Sequence, residues 1–183
     1  MKEEHPGKNV RVFFEDEARF GQKGTLTKMW AEKGSRPTVI RQTRYEWAYM
    51  YGAVDPLTGD SSALLARHVN TPTMNEFLKV LSQEVGPNDH VVLVLDRAGW
   101  HVSKALAVPA NITLLHLPPY SPELNCIERL WLYIKSHFLS NRVFADYDHL
   151  LQAGTDAYRA MEPQRELLKS ICATAWLTPG NPT

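Results

Sequence analysis

Residues 91–96 read VVLVLD, five apolar residues running straight into an acid. An apolar run of this kind predicts a strand covered on both faces. Residues 10–17, VRVFFEDE, repeat the pattern. The expected strand Val10–Phe14 runs into Glu15, Asp16 and Glu17 and is expected to end there. A charge at the end of a buried strand is costly unless it is paired or binds a metal. In open α/β sheets the carboxyl ends of strands form the ligand crevice. Two such strands side by side bring Asp16 and Asp96 together. Close carboxylates repel, and a divalent cation that prefers oxygen ligands, such as Mg²⁺, relieves the repulsion. Taken singly, Glu15–Glu17 also fits an ordinary charged strand end.

Outward from these two strands, the chain alternates turn signals with short apolar runs. Gly21 and Gly24 predict a turn, Lys28–Ala31 a strand, Lys33–Ser35 a turn and Thr38–Gln42 another strand. Tyr45–Val54 is aromatic and reads as a strand, closed by Asp55-Pro56 and Thr58-Gly59, and Ser62–Arg67 follows as one more. Thr71–Val85 predicts a helix capped by Thr73, with Phe77, Val80, Leu81 and Val85 at helical spacing. Beyond Asp96, a short helix is expected at Ser103–Ala107 and a strand at Ile112–Leu115. Residues 118–122, PPYSP, break the chain. A helix is expected over Leu124–Leu139, with Ile127, Leu130, Trp131, Ile134 and Phe138 on one face. Two more helices, Asp146–Met161 and Pro163–Trp176, precede a frayed tail. Antiparallel strands followed by βαβ crossovers predict an α/β fold, a mixed sheet flanked by helices.

The bulk properties fit one globular domain spanning residues 1–183. The chain of 183 residues is 44% hydrophobic and 22% charged, enough to bury a core without disulfides. Twenty basic and twenty acidic residues cancel, so a large DNA footprint is not written in the net charge. No apolar stretch is long enough for a membrane span, and the N-terminus MKEEHPGKNV has no signal-peptide core. Two distant cysteines, Cys126 and Cys172, argue against a disulfide scaffold and for a reducing cytoplasm.

A third acid completes a metal site. Glu128 sits one residue past Ile127 and three before Trp131, at the edge of the helix's buried face, and can point toward the sheet. Three carboxylates can hold two metals that clamp the attacking and leaving oxygens of phosphoryl transfer. Glu128 also fits a plain helix start, because Asn125-x-x-Glu128 has the form of a capping box.

The residues around these acids are specific. The segment FFEDEARFG resembles the first catalytic block of insertion-sequence transposases of the mariner superfamily. LVLDRAGWHVSKAL resembles the second block, and LLHLPPYSPELNCIERLWLYIK the third and most diagnostic one. MWAEKGSRP resembles the family's Trp-plus-Lys-Gly turn between early strands. Four ordered blocks over roughly Val10–Tyr158 make a strong signal. The resemblance implies a ribonuclease H-like fold, a five-stranded mixed sheet flanked by helices. It implies that Asp16, Asp96 and Glu128 are the DDE ligands of two Mg²⁺ or Mn²⁺ ions. The implied reaction is metal-dependent cleavage at the element ends and strand transfer into target DNA at TA. The implied partners are those DNAs, a separate helix-turn-helix subunit and a second copy of the chain, in the cytoplasm of a bacterium, at its nucleoid.

Three departures stand out. The spacing from Asp96 to Glu128 is shorter than the family's, and the shortening is expected around Val108–Asn111. Arg97 replaces the usual Asn, and Cys126 the usual Pro before Ile-Glu. The family's helix-turn-helix segment has no room ahead of a first strand near residue 10. The chain is therefore expected to be a separate catalytic subunit, half of a split element, a fragment or a decayed copy. Around the triad, His101 is a candidate for DNA phosphate or metal-bound water, and Trp30 and Trp100 for stacking on flipped bases. Arg97, Asn125 and the basic cluster Lys33, Arg36, Arg41 and Arg44 are candidate DNA contacts. Tyr120 and Asn125 are expected to shape the loop that positions Glu128. The rival readings are another ribonuclease H-like nuclease and a domesticated domain that only binds DNA or a partner.

Overall fold

The computed structural model describes residues 6–21, 30–35 and 46–174. Strands β1 (Asn9–Gly21), β2 (Trp47–Val54), β3 (Ser61–Ala66), β4 (Asp89–Leu95) and β5 (Ile112–His116) form one sheet in the order β3-β2-β1-β4-β5. Helix α1 (Thr71–Glu84) joins β3 to β4, and α2 (Ile127–Ile134), α3 (Tyr147–Met161) and α4 (Arg165–Cys172) follow β5. The mixed sheet with flanking helices is the expected architecture. The β1–β4 and β4–β5 pairs are parallel, and the β1–β2 and β2–β3 pairs antiparallel.

Strand β1 does not end at the acids, contrary to expectation. Its ladder with β4 stops at Phe14↔Val94, but its ladder with β2 continues through Asp16↔Gly52 to Gly21↔Trp47. Asp16 therefore lies within the strand. The crevice forms because β4 ends at Leu95 while β1 runs on.

Successive strand residues face opposite sides of the sheet. Phe14, Ala18 and Phe20 join the core with Ile127, Leu130 and Trp131 of α2 and with Leu150 and Ala153 of α3. Phe13, Leu93 and Leu95 join a second core with Met74, Phe77, Leu78 and Leu81 of α1. Asp16 thus shares the side of Phe14, and Glu15 and Glu17 share that of Phe13.

Several local expectations are corrected. Asn70, not Thr73, caps α1, and its side chain accepts from Thr73 N at 2.9 Å. Residues 103–107 form a turn instead of a helix, because the Ser103 hydroxyl accepts from Ala105 N at 3.2 Å and offers the backbone a local alternative. The long helix over 124–139 is divided into a 3₁₀ turn at Pro122–Leu124, α2, and a π-helical stretch at Lys135–Leu139. Trp30 and Ala31 are not in a strand. The strand expected at 38–42, with Arg36, Arg41 and Arg44, lies outside the described residues, as does the tail. Cys126 and Cys172 are buried and free. Among the described residues, no helix is long and apolar enough to cross a membrane.

Candidate active site

Asp16 faces the α2 side of the sheet, and its cross-strand partner is Gly52. The missing side chain at Gly52 makes room for the Trp131 ring, whose Nε1 donates to Asp16 Oδ2 at 3.2 Å. A Cβ at residue 52 would meet Trp131 Cζ2 at 2.9 Å and Cη2 closer still. We expect Gly52→Ala to push the indole away from Asp16 and to cost about 1–3 kcal/mol by overpacking. Chemical denaturation reads this, and an unchanged midpoint would show that the ring yields freely.

Glu128 lies in the first turn of α2, three residues before Trp131, and is exposed. Positions three apart on a helix are neighbours, so the residue that anchors Asp16 also carries Glu128 toward it. Burial first, and the Glu128 charge next, push the Asp16 carboxyl up to about 7. Asp96 follows β4 directly. Its Oδ1 accepts from Ala98 N at 2.8 Å and from His101 Nδ1 at 2.7 Å, while the side chain remains 60% exposed.

Asp16, Asp96 and Glu128 line one cleft of about 440 Å³, together with Arg97, Asn125 and the loop 117–122. Tyr120 on that loop is fully exposed, with a left-handed φ of 58°. The cleft acids do not all lie within 4.8 Å of one another, whereas ligand atoms of Glu15, Glu17 and His101 do. Three carboxylates around a solvent-facing cleft, one of them raised by a neighbour, suit a hard cation that keeps waters and binds substrate phosphate.

Asn125 is buried, and its Nδ2 donates to Glu15 O at 2.7 Å. It ties the approach to α2 to the residue before Asp16. Its side chain makes no capping box, since Glu128 N donates to the Asn125 main-chain oxygen at 3.3 Å and Cys126 is the N-cap residue. We expect Asn125→Leu to leave the Glu15 carbonyl without this donor and to cost about 1–3 kcal/mol, read as a lowered melting temperature. Native stability in that variant would contradict the role.

The other sequence candidates divide. Arg97 is exposed on the cleft and donates to Leu117 O at 3.2 Å. His101 is 1% exposed and Trp100 half-buried, and neither lines the cleft. Both turn to the other side of β1, where Trp100 Nε1 donates to Glu17 Oε1 at 2.7 Å. Lys33 is exposed in a turn and Trp30 is fully exposed, with neither at the cleft. In the sequence Glu15 and Glu17 stand out only as part of a charged strand end. The signal that finds them is period-2 alternation, which sets two acids on the buried side of Phe13.

Residues 11–151 match the family described as DDE superfamily endonuclease. A Sinorhizobium fredii protein, uncharacterized y4pE/y4sA, is 42% identical over 130 residues, covering 71% of this chain and 96% of that protein. The insertion element IS630 uncharacterized 39 kDa protein of Shigella sonnei is 26% identical over 132 residues, covering 70% of this chain and 37% of that protein. The Mos1 mariner paired-end complex with Mn superposes with a TM-score of 0.60 at 18% identity, covering 88% of this chain and 53% of the Mos1 chain. The chain thus spans about half the length of Mos1 and a smaller share of the IS630 protein. The structural likeness shows the expected ribonuclease H-like fold.

Proposed function

Because the chain belongs to the DDE superfamily endonuclease family, we propose that it is a transposase catalytic domain that cleaves DNA at insertion-element ends and joins them to target DNA at TA. The observation that carries this reading is the convergence of Asp16, Asp96 and Glu128 on one cleft, with Asp16 raised by burial and by Glu128. These carboxylates are the residues that would hold two Mg²⁺ or Mn²⁺ ions. Such ions, when bound, stabilise the attacking and leaving oxygens of phosphoryl transfer.

The chain's own residues set the geometry. Trp131 fixes Asp16 through Oδ2, and Ala98 N and His101 fix Asp96 through Oδ1, leaving Asp96 Oδ2 for the cleft. Arg97 supplies a cation at the rim for a DNA phosphate. Partners on this reading are element ends, target DNA, a helix-turn-helix unit and a second copy.

The test is nicking of duplexes carrying the element's end, with Mn²⁺ or Mg²⁺ and with chelator. Cation-dependent nicking near the end supports the reading. Cleavage of RNA–DNA hybrids lacking any element end would point instead to another nuclease of this fold. Binding without cleavage would point to a domesticated domain.

A further inference from the structure

On the side of β1 away from the cleft, Glu15, Glu17 and His101 form a buried cluster. Their side chains are 0%, 7% and 1% exposed. Both Glu15 carboxylate oxygens lack a hydrogen-bond partner. The carboxylates of Glu15, Glu17 and Asp96 surround the His101 ring.

The distances suit a bridging ion as well as an ion pair. His101 Nδ1 lies 2.7 Å from Asp96 Oδ1, the length of a charge-assisted hydrogen bond. In a neutral ring that bond requires the proton on Nδ1, and the Nε2 lone pair then faces the two glutamates. Nε2 is 3.2 Å from Glu17 Oε1 and 3.4 Å from Glu15 Oε2. Charge-assisted N–H to carboxylate bonds are about 2.7–2.9 Å. Ligand atoms at the corners of a tetrahedron around Zn²⁺, with bonds of about 2.0–2.1 Å, lie about 3.3–3.4 Å apart. The 3.2 Å contact is also a hydrogen bond, the 3.4 Å contact to Glu15 is not, and both have the spacing of ligand atoms around an ion.

We propose that Glu15, Glu17 and His101 Nε2 form a Zn²⁺ site behind the cleft and distinct from it, with water as the fourth ligand. Two glutamates balance the charge of one divalent cation. Asp96 on Nδ1 makes the carboxylate–histidine–zinc arrangement that orients such ligands. Trp100 Nε1 on Glu17 Oε1, at 2.7 Å, fixes a second ligand from outside. Mg²⁺ is disfavoured, because it keeps several waters and takes oxygen ligands, whereas this cluster is buried and offers a ring nitrogen. The ion would hold His101, and through it the Asp96 oxygen that does not face the cleft. The proposal stands whether or not the cleft cuts DNA.

The test is metal content of the full chain after dialysis, with Co²⁺ exchange read by visible absorption. We expect one Zn²⁺ per chain to be retained both by the native protein and by a Asp16→Asn, Glu128→Gln double variant. Glu15→Gln should lower Zn²⁺ affinity by more than the about 10- to 100-fold that loss of an outer partner costs. The tetrahedral Co²⁺ bands should appear in the native protein and vanish in His101→Phe. Glu17→Gln reads the same ligand set should Glu15→Gln fail to fold by circular dichroism. A native protein that takes up neither Zn²⁺ nor Co²⁺ overturns the proposal. So does an ion lost from the cleft double variant but kept in Glu15→Gln.

Discussion

Asp96→Asn is expected to reduce cation-dependent nicking by about a thousandfold or more, with helix content unchanged. A metal-held charge at the reacting oxygens contributes several kcal/mol to the transition state, and about 4 kcal/mol is a thousandfold. The substitution keeps the side chain's size. Its Oδ1 can still accept from Ala98 N, now at 2.8 Å, so the turn after β4 should survive. What it removes is the negative charge that faces the cleft. Glu128→Gln is the matching control. It should impair nicking comparably, yet it takes no part in the bonds of Asp96 to His101 and the turn. A loss confined to Asp96→Asn would trace the defect to the loop. Full activity in both would remove these residues from the reaction.

The second large effect is on stability. In the cation-free protein the Asp16 carboxyl is pushed up to about 7, whereas in the unfolded chain it titrates near about 3.9. Below the lower value Asp16 is protonated in both states and costs nothing. Between the two, the unfolded chain ionises and the folded one resists, so this group lowers stability as pH rises. Above the upper value the full cost is present, about 4 kcal/mol at most. Burial and the Glu128 charge are the causes, so Glu128→Gln should shrink the effect. A divalent cation needs the ionised carboxylate. Mg²⁺ at about 100 times its dissociation constant should add about 2.7 kcal/mol at alkaline pH, and less at pH 5, where it must displace a proton. Thermal melts with and without Mg²⁺ at both pH values measure this. An equal gain at the two pH values would mean that the cation does not act through Asp16.

Much of the fold is legible in the sequence. The run VVLVL predicts β4 and places Asp96 at its end because valine-rich apolar runs have few other folded uses. The period-3.6 apolar face puts Ile127, Leu130 and Trp131 in the core of α2. Resemblance, not periodicity, brought Glu128 into the trio. The small misreadings share one cause. Thr73 was read as the cap and residues 103–107 as a helix, although side-chain oxygens of Asn70 and Ser103 reorganise the backbone locally.

The sequence by itself determined the strand that ends in Asp96, the helix that carries Glu128, and the motifs that name the family. Only the tertiary structure decided which side of β1 each acid takes and what meets it there. A run of three acids carries no ladder register. Pairing of Asp16 with Gly52 turns Asp16 toward Trp131 and the cleft. The same register sends Glu15 and Glu17 to His101 on the far side, since neighbouring strand residues must point in opposite directions.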